Sequence, residues 1–215
     1  RQVLTLDQIS NGRIELGLGT GLVHDPSYAM AGLPDWDAKE RVDRFAEYVQ
    51  IVRAMLTDEV TTFQGRFYRV DAAVMNPRPV QKPRPPIAVA GLGQRMMRIA
   101  AQFGDTWDSM SFLPTFEEQL AETRARCETI DGLCESVGRD PATLKRSYLM
   151  FDAGARPRGG AIGYYESVDR FEDEVSRLAA LGISDIGMYY PLDAGQMLTF
   201  ERIAVDLLPD LRSGD

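Results

Sequence analysis

Gly12-Arg13-Ile14-Glu15-Leu16-Gly17-Leu18-Gly19-Thr20-Gly21-Leu22-Val23-His24-Asp25-Pro26 runs a short apolar strand into glycine-rich backbone and then into a polar turn. Glycine lets backbone come close to a ligand and tolerates positive φ, at an entropic cost. Taken alone, the stretch reads equally as a bulge in an ordinary sheet and as a strand that delivers a ligand site. Its surroundings decide between the two.

Upstream, Val3 to Ile9 reads as the tail of a helix, stopped at Asn11-Gly12, where either residue tolerates the left-handed conformation. Arg13 to Gly19 is the first strand, and a Pro-, Gly- and Asp-rich loop follows through Pro34. Ala38 to Leu56 reads as a helix, with Val42, Phe45, Val49, Val52 and Leu56 on one face. Lys39, Glu40, Arg41, Arg44 and Glu47 fall elsewhere, as expected of a solvated face. Thr61 to Tyr68 reads as a hairpin turning at Gln64-Gly65, and Asn76 to Pro86 as stiff, polyproline-like chain. A buried strand, Ile87-Ala88-Val89-Ala90, follows at once, so the Pro-rich segment reads as a crossover rather than a linker.

From there strands and helices alternate: strand 87–90, helix 94–103, strand 106–110, helix 116–137, strand 146–151, helix from Ser167 to Gly182, strand 184–190, helix 200–208. About five strand–helix units mean a parallel sheet with crossover helices. Open doubly wound sheets and closed (β/α)8 barrels share this pattern, and both bind ligands at the carboxyl ends of the strands. That places five loops on one face: Gly19 to Pro34, Gly91 to Gln94, Ser111 to Pro114, Ala153 to Tyr165, and Pro191 to Gly195. The hairpin and crossover, residues 58–86, are expected on the other, as an insertion in a single domain spanning 1–215.

Composition narrows the function. The 215 residues are 44% hydrophobic and 26% charged, as in ordinary globular proteins. A net charge of −8 disfavours nucleic acid and anionic lipid as partners. No apolar run approaches the roughly 20 residues of a membrane span, and the N-terminus has no signal-peptide pattern. Cys127 and Cys134, seven residues apart on one helix, would stand about 10 Å from each other, too far for a disulfide. They read as buried side chains in a reducing, cytoplasmic compartment. His24 is the only histidine, so no His-rich metal site and no Ser–His or Cys–His couple lies elsewhere.

Two motifs carry chemistry. Ala90-Gly91-Leu92-Gly93-Gln94 ends a strand, exposes backbone N–H groups and begins a helix, a geometry that cradles phosphate at the positive end of the helix dipole. It equally suits a tight strand-to-helix turn, and Met96 stands where a dinucleotide fingerprint has its third glycine. His24, on the loop after the first strand, is the candidate for proton transfer; a hydrogen-bonding role is the plainer alternative. Trp107, Tyr164, Tyr165, Tyr189 and Tyr190 lie near strand ends and either line a pocket or fill core. Arg156 and Arg158 stand just before a glycine pair on a loop, Ala153 to Tyr165, that reads as a lid.

Thr5-Leu6-Asp7-Gln8-Ile9-Ser10-Asn11-Gly12-Arg13 followed by Leu16-Gly17-Leu18-Gly19-Thr20-Gly21 resembles the middle of a bacterial luciferase-like oxidoreductase. So do Phe63 to Tyr68, Pro77 to Ile87, the glycine turn, and Gly104-Asp105-Thr106-Trp107, in that order. The resemblance implies a (β/α)8 TIM barrel and an enzyme using reduced FMN with oxygen, or coenzyme F-420 for hydride transfer. It implies Gly19, Thr20 and Gly21 as cofactor contacts, and Ala90, Gly91, Leu92, Gly93 and Gln94 as the phosphate turn. The Gly-Thr-Gly form is similar to that of deazaflavin-using members. With about five of eight units counted, the chain is expected to be the C-terminal part of such a barrel, inactive and poorly stable alone. A small-molecule substrate, a homodimer and no metal complete the expectation. A nicotinamide-binding open α/β enzyme and a non-catalytic flavin-binding or partner subunit are the rivals.

Overall fold

A computed structural model describes residues 1–152, 155 and 160–213. The chain forms two compact units, residues 1–108 with 130–144, and residues 109–129 with 145–215.

In the first unit, helix α1 (Gln2–Ser10) ends at Asn11, whose φ of 54° is the left-handed stop expected of it. Strand β1 (Leu16–Leu18) is shorter than Arg13–Gly19. Its partner explains the difference: Leu16 donates to the carbonyl of Pro86, and the prolines before Ile87 have no N–H to extend the ladder. A short helix α2 (Pro26–Met30) stands in the expected loop, N-capped by Asp25 and started by proline. Helix α3 (Ala38–Thr57) is capped by Asp37 and buries Phe45, Val49, Ile51 and Leu56.

Strands β2 (Thr61–Gln64) and β3 (Arg69–Ala73) make the hairpin. Its turn is wider than Gln64-Gly65. Glu47 of α3 accepts hydrogen bonds from the amides of Arg66 (2.8 Å), Phe67 (2.9 Å) and Tyr68 (3.1 Å), so the turn is organised around a carboxylate. The Pro-rich segment is anchored crossover, as expected. Asp7, fully buried, accepts from the Val80 and Gln81 amides and the Gln81 side chain. Buried Arg84 pairs with Asp105, which also takes the Ile87 amide (2.7 Å).

Strand β4 (Ile87–Ala90) runs parallel to β1, with Leu18 opposite Val89. Helix α4 (Gln94–Phe103) follows, and then strand β5 (Thr106–Met110), parallel to β4 with Ala90 opposite Asp108. Ile87 and Val89 are fully buried, and α4 covers them with Met96, Met97, Ile99, Ala100 and Ala101. Small residues thus occupy one face of β4 and large apolar ones the other.

The chain passes into the second unit within β5 and returns to the first within helix α5 (Phe116–Ser136). Both cysteines of α5 are buried and neither forms a disulfide, as the spacing predicts. Strand β6 (Lys145–Leu149) pairs in parallel with β7 (Asp185–Gly187), Leu149 opposite Gly187. Ser167 caps helix α6 (Val168–Ala179) by accepting from the Arg170 amide (3.1 Å), the role its position predicts. Helices α7 (Met197–Arg202) and α8 (Leu208–Ser213) join through a π turn, extending the final helix beyond 200–208.

Of the expected lid, Ala153, Gly154 and residues 156–159 lie outside the described residues, Arg156 and Arg158 among them. Gly163–Tyr165 is a 3₁₀ turn that buries both tyrosines. Tyr165 packs edge-on to Phe200 and stacks on Phe171, and its hydroxyl donates to the Tyr189 carbonyl (2.6 Å). Burial pushes the Tyr164 hydroxyl up to about 12 and Tyr165 up as well. Trp107 is likewise fully buried. These three aromatics follow the core reading of the sequence; Tyr190 is exposed against Phe200. Beside the hairpin, the described residues form a five-stranded sheet whose paired strands run parallel and are joined by crossover helices, the α/β fold that the alternation predicts.

Candidate cofactor site

The register of β1 and β4 brings the two sequence motifs together. Both strands end at the same level, and a Cβ placed on Gly19 would lie 3.7 Å from that of Ala90. Asp108 continues the row, opposite Ala90 on β5. Side chains along this row are small, so backbone is accessible at the strand ends.

The glycines of the first motif are not equivalent. Gly17 has nothing within 4 Å of where a Cβ would stand. Gly21 has φ +71°, and a Cβ there would lie 2.1 Å from the Tyr28 hydroxyl. Gly21 is therefore required twice, by backbone angle and by space.

The second motif divides. Gly91 donates its N–H to the Asp108 carbonyl (3.2 Å), and its own carbonyl accepts from the Trp107 indole (2.8 Å). A Cβ on Gly91 would fall 2.4 Å from Cβ of Met96. Gly91 is thus glycine so that α4 can pack against the turn, and its amide is engaged in the sheet. Gly93 is the N-cap, in extended conformation, with open space around it and no side-chain cap. Gln94, Arg95 and Met96 form the first turn of α4, whose amides have no acceptor within the helix. Gly93 and Gln94, rather than Gly91, are the open part of the turn. Uncapped first-turn amides at the positive end of a ten-residue helix fit an anionic group such as a cofactor phosphate. The Gly19–Ala90 row beside them fits a planar ring laid along backbone.

His24 stands on the loop between β1 and α3, with φ 60°, a region histidine visits more readily than most residues. Its side chain is 87% exposed. Nδ1 lies 2.9 Å from Asp35 Oδ2, and the backbone N–H donates weakly to Oδ1 of the same carboxylate (3.4 Å). Asp35 also pairs with Arg41. Burial opposes ionisation of Asp35, but the His24 and Arg41 hydrogen bonds outweigh it and hold the carboxyl below its usual range.

Arg41 corrects the sequence reading. It was expected on the solvated face of α3, yet only 6% of it is exposed. Nε donates to the Trp36 carbonyl (2.7 Å) and Nη1 to the Tyr28 hydroxyl (2.8 Å) and, more distantly, the Thr20 carbonyl (3.5 Å). The spacing signal was available: Arg41, Phe45 and Val49 follow one another at four-residue steps on the buried face. Glu47 is the second such correction. A cavity of about 140 Å³ opens here, lined by Gly19 and Thr20, by Tyr28, Trp36 and Tyr48, and by Arg41, Arg44, Phe45 and Tyr68. Tyr68 belongs to the hairpin turn, so the hairpin reaches the Gly19–Thr20 loop rather than keeping to the opposite face. His24 does not line this cavity. Asp35, Arg41, Tyr68 and Asp108 are the residues that motif reading missed.

The second unit has its own cavity of about 180 Å³, lined by Gln119, Asp152, Tyr164, Arg170 and Glu174 among others. Burial raises the Glu174 carboxyl above its usual range despite its bond to Arg170 Nε (2.9 Å).

Among known proteins, residues 1–154 match the family described as luciferase-like monooxygenase. The F420-dependent glucose-6-phosphate dehydrogenase of Intrasporangium calvum is 33% identical over 97% of this chain and 73% of its own length. The pyrimidine monooxygenase RutA of Allorhizobium ampelinum is 35% identical over 49% of this chain and 28% of its own. The coenzyme F420-dependent tetrahydromethanopterin reductase of Methanopyrus kandleri superposes with a TM-score of 0.72 at 15% identity, over 97% of this chain and 77% of that one. The matched segment contains both glycine motifs and the strands that carry them, and with the dehydrogenase aligned along nearly the whole chain, the protein belongs to the luciferase-like monooxygenase family.

Proposed function

We propose that the intact protein is a cytoplasmic oxidoreductase, acting as a homodimer, that binds coenzyme F-420 and exchanges hydride with a small organic substrate. One observation carries this reading: Gly19 and Ala90 end paired strands side by side, next to the uncapped N-terminus of α4. The 33% identical F420-dependent dehydrogenase supports the choice of cofactor.

In this reading the amides of Gly93 to Met96 hold the cofactor phosphate, with Ala90, Gly91 and Leu92 shaping the turn. Gly19, Thr20 and Gly21 lie along the ring. The cofactor, when bound, supplies the hydride chemistry. His24 holds or releases a proton at Nε2, while Asp35 grips Nδ1 and fixes the ring's orientation. A second reading, a monooxygenase using reduced FMN with oxygen, is supported by the RutA likeness.

Fluorescence titration of the intact protein with F-420 and with FMN separates the two. The expected result is saturable binding of F-420, tighter than FMN by roughly tenfold or more. Preference for FMN favours the monooxygenase. Binding of neither overturns the assignment and favours a non-catalytic partner subunit.

A further inference from the structure

We propose that Arg41 is the positioning residue of the cofactor loop, fixing the Gly19–Gly21 backbone and the His24 imidazole in one arrangement. The proposal rests on the reading of Gly19–Gly21 as cofactor contacts and His24 as the proton-transfer group.

The loop between β1 and α3 has little apolar anchorage. Helix α2 within it buries no residue, and Leu22, Val23, Met30 and Leu33 are all more than half exposed. Without a core of its own, such a loop takes its shape from polar pins. Arg41 is the largest of these. Every acceptor found for its buried guanidinium belongs to this loop: Trp36 O, Tyr28 Oη, Thr20 O and Asp35 Oδ1.

Two arms leave the guanidinium. Along the first, the Tyr28 hydroxyl, held at 2.8 Å, fills the space that a side chain at Gly21 would need. Along the second, Asp35 takes Arg41 on one oxygen and His24 Nδ1 on the other (2.9 Å). A planar fork of fixed N–H directions serves both arms at once; an ammonium on a flexible stem does not. Losing the fork would remove the one partner that the Trp36 and Thr20 carbonyls, the Tyr28 hydroxyl and Asp35 share, at a position where the arginine itself is buried.

The chain's single histidine makes the test direct, because one imidazole signal reports on His24 alone. The ¹⁵N shifts of that ring give its neutral tautomer, measured in the wild type and in Arg41→Lys, Arg41→Gln and Asp35→Ala. The same proteins are titrated with F-420 and FMN. In the wild type the proton is expected on Nδ1, facing Asp35. Asp35→Ala and Arg41→Gln are expected to lose this preference, and Arg41→Lys to lose part of it. Cofactor affinity should fall roughly tenfold in both Arg41 variants and stay within about twofold in Asp35→Ala, which leaves the Tyr28 arm in place. A merely structural arginine gives a lower melting temperature with tautomer and affinity unchanged in the folded variants, and that result overturns the proposal. An unchanged tautomer in Asp35→Ala overturns the His24 arm even if Arg41→Gln does not fold. If the wild type binds neither cofactor, the functional reading fails, while the tautomer comparison still decides whether Arg41 governs His24.

Discussion

Gly21 shows how much a single residue can carry. Its φ of +71° lies where side chains are rarely tolerated, and the Tyr28 hydroxyl stands 2.1 Å from its missing Cβ. That hydroxyl cannot simply swing aside, because Arg41 holds it. Gly21→Ala is therefore expected to cost about 1–3 kcal/mol, from the backbone alone before the clash is counted. Gly17→Ala is the control: it has negative φ and open space, and should change stability by no more than about 0.5 kcal/mol. Urea denaturation of the two variants beside the wild type checks both values. In the sequence these glycines stand together in one motif. Only the structure separates the one that is constrained from the one that is not, because the constraint comes from Tyr28, a residue outside the motif.

At the scale of elements, the hairpin depends on a carboxylate in the middle of α3. Glu47 collects three amides from the turn, and although burial opposes its charge, those amides hold its carboxyl below the usual range. A group whose folded pKa is depressed stabilises above its unfolded pKa, and that contribution fades as pH falls through the folded value. Glu47→Gln is expected to lower the urea midpoint near pH 7, with the gap from wild type shrinking once pH drops below about 4. A gap that stays constant between pH 7 and 3 would mean the charge has no part in holding the turn. Elements of this kind were partly legible. The helices at 38–57 and 168–179 follow from apolar periodicity and caps, and β4 from an unbroken apolar run. Strand lengths were not, since β1 begins only where its parallel partner's prolines end. Arg41 and Glu47 were placed outside because charged side chains usually are; apart from Trp36 and Asp35, five and six residues before Arg41, their partners lie 13 to 21 residues away, beyond the reach of local pattern.

At the scale of the whole molecule, alternation of strands and helices pointed to a parallel α/β fold, and the order of motifs pointed to the family. Neither could tell that Gly91 serves helix packing while Gly93 and Gln94 stay open, because that depends on where Met96 falls on α4. Among the described residues no helix is long and apolar enough to cross a membrane. On the proposed reading, two loops distant in sequence, 19–21 and 93–96, converge on one cofactor. Amide chemical-shift mapping of the ¹⁵N-labelled protein during F-420 addition tests it most directly. The largest shifts are expected at Gly19 to Gly21 and at Gly93 to Met96 together, moving in step along one binding curve. Shifts confined to one loop, or centred elsewhere in the chain, would contradict it.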